Sequence, residues 1–422
     1  MRFAFAAVLL IAAACSRPGV HHPLADPHLT DEIAAIKAID NHAHIVSIAA
    51  NDREFDALPV DNLEPSVLPS RLTDPKAPEQ VQARNALFGR SSKADVMKQK
   101  GDAYASWVLD QAGIETALAN RVRMTPDLTA PRFRWTSYVD SLLFPLDNTS
   151  MVKDSDKAAF FKLEEGHRKR YLTDAGLSAV PSTLDEYTSK VVTPTLEKQK
   201  QAGVLGLKYE AAYLRALDFS NASKDDAARV YSKYPSGAVP PAEYKILQDY
   251  LFCYIAKEAG RLGLAIHIHT GFGGGGYFNT TGSDPILLEP VLNDPAFRKT
   301  NFVLLHGAWP FGDHLAALIT KPNVYADVSV EGLFFYPTEM AKHIRGWLEF
   351  APEKVLFGTD AYPWSDQFGW EEAIYMSATT TRQALAIALT GMWKDGEVTH
   401  PQALDIARLV LRDNARKLYK LP

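Results

Sequence analysis

One pattern constrains this chain more than any other: short apolar runs alternate with longer stretches of helical periodicity along nearly its whole length. The runs are residues 38–44, 114–119, 133–140, 204–209, 264–269, 302–306, 324–328 and 355–358. Several are continuously apolar, as expected of parallel strands buried on both faces. Segments such as 242–262 and 337–350 carry apolar residues at helical spacing. Eight strands alternating with helices predict an α/β fold, a single (β/α)8 TIM-type barrel. The chain has 422 residues, a length that barrels with insertions reach as one unit. Its excess lies in residues 51–111 and 147–200, after the first and third strands, with helix-like stretches at 94–109 and 157–171. Both read as helical insertions at the C-terminal face, where long loops shape an active site. Residues 382–418 read as helices packed on the barrel exterior.

Ahead of the barrel, Arg2 precedes an apolar run from Phe3 to Ile11, followed by Ala12, Ala13, Ala14 and Cys15. A charged start, an apolar stretch too short to span a bilayer and small residues before a cysteine read as a lipoprotein-type signal peptide, residues 1–15, with Cys15 lipidated. Ala12 is a less usual residue three positions before such a cysteine, so plain secretion and an uncleaved anchor stand as alternatives. Residues 16–30, with Pro18, Gly19, Pro23 and Pro27, read as a flexible tether, and His21 and His22 as tail residues rather than ligands. The barrel then takes residues 31–422. These readings predict an exported protein, lipid-anchored in a bacterial envelope and facing the periplasm. Cys253, the other cysteine, has no disulfide partner and reads as core packing. Net charge is −5, both signs are interspersed and no long basic run occurs, which argues against nucleic acid as a partner.

The histidines carry the chemistry. Asp40-Asn41-His42-Ala43-His44 closes the first strand, where residues two apart share a face. Two imidazoles on one face make half of a site for zinc or a similar divalent ion. Ile268-His269-Thr270-Gly271 closes the fifth strand, Leu305-His306-Gly307 the sixth, and Phe357-Gly358-Thr359-Asp360 the eighth. Any one is an ordinary polar residue at a strand end. Four in register, each after an apolar run, are not ordinary, because ionisable groups are rarely placed in a barrel mouth without a partner. Together they point to metal binding.

With Lys208 and Ala212-Tyr213-Leu214-Arg215 after the fourth strand, these motifs resemble the amidohydrolase superfamily, and within it the amidohydrolase-2 branch. The nearest flavour is the amidohydrolase-like domain fused to glutamine-synthetase-type domains. The resemblance runs from Asp40 to about Leu418. It implies metal ligation by His42, His44, His269 and Asp360, with His306 as an acid–base or second-metal group. His267 lies one step deeper and is a supporting group. Lys208 has three readings: a carboxylated bridge between two ions, an unmodified residue beside one ion, or a lysine paired with a carboxylate such as Glu210. One or two ions, most simply zinc with manganese or iron as alternatives, and a homodimer also follow from the resemblance.

On this reading a divalent ion lowers the pKa of a bound water to around 7. Asp360 takes the proton and passes it to the leaving group, His306 assists at the developing oxyanion, and Asp40 orients a ligand histidine. The reaction is hydrolysis of an amide, peptide-like, lactone or ester bond in a small substrate. A mononuclear decarboxylase or hydratase of the same branch is the alternative, and an inactive envelope binding protein is the alternative from another class. Arg215 is a candidate partner for a substrate carboxylate or else a surface ion pair. Trp309 and Tyr362 are candidates to line the pocket or to pack the core. Residues 271–276 are glycine-rich but lack the spacing and lysine of a phosphate loop, and read as a mobile loop beside His269.

Overall fold

The computed structural model describes residues 20–49, 51–56 and 63–422. Eight parallel strands follow one another in sequence order: β1 Ala38–Ala43, β2 Ile114–Arg121, β3 Phe133–Tyr138, β4 Val204–Tyr209, β5 Ala265–Ile268, β6 Phe302–Leu304, β7 Val324–Asp327 and β8 Val355–Leu356. The circle is closed between β8 and β1 by backbone bonds just beyond the short last strand. Asn41 N donates to Phe357 O at 2.8 Å, Asp360 N to His42 O at 2.8 Å, and His44 N to Ala361 O at 2.7 Å. The fold is therefore the expected (β/α)8 barrel.

Two apolar layers hold it. The larger lies between the strands and the surrounding helices, among them Pro241–Leu262, Pro337–Phe350 and Trp370–Lys394. A smaller one, with Ile39, Leu118, Val303, Leu305 and Leu356, fills the barrel interior. Cys253 is buried in the larger layer, as its reading expected, and burial pushes its thiol up to about 12. Both insertions fall where they were expected, but the stretch 94–109 is two helices, Lys93–Lys100 and Tyr104–Gln111, because Gly101 stands at a φ of 51° between them.

Three expectations change. The tether of residues 16–30 ends early: Asp26 caps a helix Pro27–Ala35 whose Leu29 and Ile33 are fully buried. Proline at the first turn pre-sets helical φ, which is why this Pro-containing stretch starts a helix. The C-terminal helices are not wholly exterior, since Tyr419, the last residue of the helix Asn414–Tyr419, enters the barrel floor and pairs with His267 Nε2 at 2.7 Å. Gly206 makes room for that imidazole; a Cβ there would stand 2.9 Å from Nε2. The glycine-rich stretch is also pinned. Gly274 N donates to Tyr213 OH at 3.1 Å, and Gly276 N to Glu64 O at 2.9 Å. Cys15 lies outside the described residues.

Arg121 at the end of β2 is fully buried and grips Asp52 of the first insertion, Nη2 to Oδ1 at 2.8 Å and Nη1 to Oδ2 at 2.9 Å. Burial opposes the Asp52 charge, but this pairing holds its carboxyl below the usual range. A depressed folded-state pKa means stabilisation that is present above the unfolded carboxylate value, about 4, and is lost as pH falls through the folded one. Asp52→Asn should therefore cost about 3 kcal/mol at pH 7, through the unpaired guanidinium. Urea titrations should show that difference shrinking below pH 4. In Gly271→Ala, at a φ of 73°, a Cβ would overlap the Ala308 and Trp309 backbone, and the melting temperature should fall by an amount equivalent to about 1–3 kcal/mol.

Candidate metal centre

A bulge decides which side chains reach the barrel mouth. Asp40 pairs with Ala117 and Ala43 with Ala119, so β1 carries one residue more than β2 over that step. Strand alternation is reset across it. Ile39 and Asn41 face inward at the floor, with Asn41 amide nitrogen 2.8 Å from Asp327 and its oxygen accepting from Tyr419 OH. His42 and His44 then face inward at the mouth. There Asp360 Oδ1 is 3.1 Å from His42 Nε2 and 3.3 Å from His44 Nε2, and the donor atoms of these three lie within 4.8 Å of one another. Asp360 Oδ2 is 3.9 Å from His306 Nδ1.

Asp360 and His306 both hold left-handed backbones, φ 53° and 69°. Such conformations cost of order 1–3 kcal/mol and persist where the surroundings over-determine them. At Asp360 the surroundings are β1. Thr359, its neighbour, donates from N and Oγ1 to the Asp40 carboxylate at 3.0 and 2.5 Å. Asp40 therefore fixes β8 rather than a histidine ring, which corrects the role expected of it.

The ring of His42 is held from β2 instead. Asn120 Nδ2 stands 2.7 Å from His42 Nδ1. His44 Nδ1 faces Phe55 O at 3.3 Å, Tyr138 OH at 3.2 Å and Asp56 Oδ1 at 3.5 Å. Burial works against charge on His44, yet Asp56 and Asp360 raise it to about 10. Burial, with Lys208 adding to it, holds His42 well below its ordinary value. His306 is likewise held low by burial, and Ser329 Oγ lies 3.0 Å from its Nδ1. Burial opposes ionisation of Asp360, but His306, His42 and His44 hold it well below the usual carboxylate range. The result is an anion facing imidazole nitrogens in a nearly dry pocket.

These residues fit a divalent ion. Donor atoms 2.0–2.1 Å from a tetrahedral zinc stand about 3.3–3.4 Å apart, close to the two separations at Asp360. His42 Nε2 is buried and makes no hydrogen bond. With Nδ1–H of His44 donated to Phe55 O, its Nε2 lone pair turns towards Asp360. The otherwise unpartnered Asn120 Oδ1, turned to accept Nδ1–H of His42, leaves Nε2 of that ring as the ligand atom in the same way.

The other expected residues fall into place around this core. His269 packs against His306, ring centres 4.5 Å apart, but stands outside the compact cluster. Its Nε2 meets Phe272 O at 3.0 Å and its Nδ1 lies 3.5 Å from Glu210 Oε2, and burial lowers it to about 3. Lys208 is fully buried and ion-paired with Glu210 Oε1 at 3.0 Å. Glu210 itself is raised by burial to about 7 against the pull of Lys208. Arg215 does not face the site. It is paired with Asp249 at 2.8 Å, with Asp218 at 3.2 Å, and stacks over Phe219, so its donors are spent within the fold. Tyr362 packs its ring 5.5 Å from that of His44, and Trp309 packs on Phe272 and Phe335 at the rim. Glu210 is the carboxylate partner that one reading of Lys208 expected, whereas Asn120, Tyr138 and Ser329 were missed as site residues. Each stands at or just after a strand's carboxyl end, the same signal that marked the histidines.

The comparisons agree with this architecture. Residues 183–421 match the model of the Amidohydro_2 family, described as amidohydrolase, a span that holds Lys208, His269, His306 and Asp360 but not His42 and His44. Protein fluG of Emericella nidulans is 23% identical over 258 residues, 58% of this chain and 29% of that protein, so the chain spans less than a third of that relative's length. Among solved structures, a Lactobacillus casei protein provisionally named a metal-dependent hydrolase has a TM-score of 0.63 at 16% identity, covering 93% of this chain and 97% of its own. Glucuronate isomerase from Caulobacter crescentus gives 0.62 at 14% identity, over 96% and 98%. Uronate isomerase from Thermotoga maritima gives 0.61 at 11%, over 94% and 98%. At these identities the likeness is one of fold. The family match, which takes in more than half the chain from before β4 to beyond β8, places this protein in the amidohydrolase family Amidohydro_2.

Proposed function

We propose that this chain is a metal-dependent hydrolase acting on an amide, peptide-like, lactone or ester bond of a small substrate. The observation that carries the reading is the buried convergence of His42 Nε2, His44 Nε2 and Asp360 Oδ1 on one point. These three residues would hold the ion, and a divalent cation there supplies a water that ionises near neutral pH. Asp360 Oδ2, the oxygen turned from the two ligand nitrogens, takes up the proton released in the attack and returns it to the leaving group. His306, neutral in its buried setting, carries its proton on Nε2 when Ser329 donates to Nδ1, and gives that proton as a hydrogen bond to the carbonyl oxygen as charge grows on it. Burial, with Lys208 adding to it, keeps His269 neutral beside it.

The ion pair of Lys208 with Glu210 favours a single ion over a bridged pair, and a single-ion site also supports decarboxylation or hydration as a second reading. Zinc content measured by elemental analysis should be about one equivalent lower in His42→Ala than in the wild type and unchanged in Lys208→Met. Equal content in His42→Ala would overturn the site. Against a panel of amides, lactones and esters, Asp360→Asn should lower kcat by about 10²–10⁴. Release of carbon dioxide from an aromatic acid, with no hydrolysis of any panel member, would replace the hydrolase by the second reading. Asn120→Ala, which frees the ring of His42, should weaken zinc affinity about 10- to 100-fold while leaving the fold intact by circular dichroism.

The same proposal includes export and lipid anchoring through Cys15, supported by the sequence pattern of residues 1–15. Among the described residues no helix is long and apolar enough to cross a membrane.

A further inference from the structure

Far from the barrel mouth, a second group of ligand-type side chains converges. His28 and Glu32 stand one turn apart on the helix Pro27–Ala35, and His400 opens the helix His400–Arg408 from near the other end of the chain. His28 Nδ1 is 3.1 Å from Glu32 Oε2, and His400 Nε2 is 3.0 Å from the same oxygen. All three donor atoms lie within 4.8 Å of one another.

We propose that His28, Glu32 and His400 form a zinc-type divalent metal site that clips the N-terminal helix to the C-terminal helices. Residues four apart on a helix share a face, so one helix supplies two ligands without strain. Glu32 Oε2 and His400 Nε2 are buried and, although 3.0 Å apart, make no hydrogen bond with each other or with any other group. Two polar atoms are thus taken out of water with ion-pair contacts but no well-directed hydrogen bond, an arrangement that a shared cation would satisfy. The separations of 3.0 and 3.1 Å are close to the edge of about 3.3–3.4 Å for donor atoms around a tetrahedral zinc, and two imidazoles with one carboxylate are a donor set that zinc takes.

The supports are rigid before any ion arrives. Leu29 and Ile33 anchor the first helix in the core, and Asp26 N is tied to Thr390 Oγ1 at 2.9 Å. Thr399 and Gln402 cap the second helix reciprocally. Trp393 packs edge-on against the His400 ring, centres 5.0 Å apart. The side chain of His28, by contrast, is 75% exposed, so the fourth position opens to solvent. A three-ligand site of this kind on the outer face is a structural clasp, and it stands apart from the chemistry proposed at His42, His44 and Asp360.

Zinc binding to the full chain, measured by equilibrium dialysis with elemental analysis, distinguishes the two sites. His28→Ala should remove one equivalent that persists in His42→Ala, and a His28→Ala/His42→Ala variant should lose both. Zinc should raise the melting temperature of His42→Ala but not that of the double variant. Because the His28 side chain is exposed, its loss does not threaten folding, and Glu32→Gln, which keeps size but removes the charge, should weaken the same equivalent at least tenfold. Cobalt in place of zinc should give tetrahedral visible bands in His42→Ala that vanish on adding His28→Ala. Zinc stoichiometry equal in His28→Ala and wild type would overturn the clasp and leave the trio an ion-paired cluster.

Discussion

A carboxylate taken out of water must find positive charge or hydrogen-bond donors, and Asp360 finds imidazole nitrogens on two sides of the barrel. That requirement organises the mouth. For Asp360 to reach His42 and His44 from β8, the chain after β8 must turn through a left-handed residue at once, and β1 must be close enough to accept its backbone N–H. The bond from Asp360 N to His42 O and the grip of Asp40 on Thr359 do this just beyond the end of β8. The barrel is closed by the groups that build the site, so closure and chemistry cannot be separated there. Burial raises Asp40 to about 8 against its three donors.

The same electrostatics explain why imidazoles so close together are tolerated. His42, His306 and His269 are all held neutral by burial, with Lys208 adding to it, while His44 alone is drawn towards its charged form by Asp56 and Asp360. A proton on His44 is the positive charge this arrangement calls for without a metal. A divalent ion at the point where the ligand atoms meet satisfies the same demand, and it does so while freeing both Nε2 lone pairs to bind it.

Much of this was legible from periodicity and strand-end position. The eight strands were readable as short runs, several of them continuously apolar, between helical stretches, and His42, His44, His306 and Asp360 because each ends one. What stayed hidden depends on geometry between distant strands. The bulge in β1, which resets alternation so that both Asn41 and the two histidines face inward, leaves no mark in residues 40–43. Arg215 read as a ligand candidate because its partners, Asp249 and Gln248, sit on a helix more than thirty residues on. His269 read as a ligand because its neighbours Thr270 and Gly271 fit a motif, whereas its orientation is set by the carbonyl of Phe272 and by Glu210. Asn120, Tyr138 and Ser329 were missed for a simpler reason: the strand-end rule was applied to histidine and aspartate and not to neutral polar residues.

The floor and the outer face show the same economy of means. Inside, His267 is neutral, lowered to about 3 by burial and Lys208, and it is spent on Tyr419, the last residue of the helix Asn414–Tyr419. It lies on β5 two residues before His269 and shares its residue type, yet it serves to lock the C-terminal helix into the barrel floor. Position along the chain, not identity, decides the difference: one step deeper the ring is fully buried, and its Nε2 pairs with the Tyr419 hydroxyl. Ser329 and Asn120 act on the mouth histidines in the corresponding way, by fixing which nitrogen carries the proton. An imidazole in this fold is therefore defined less by its own chemistry than by the partner that holds its second nitrogen, and the barrel supplies a different partner at each depth.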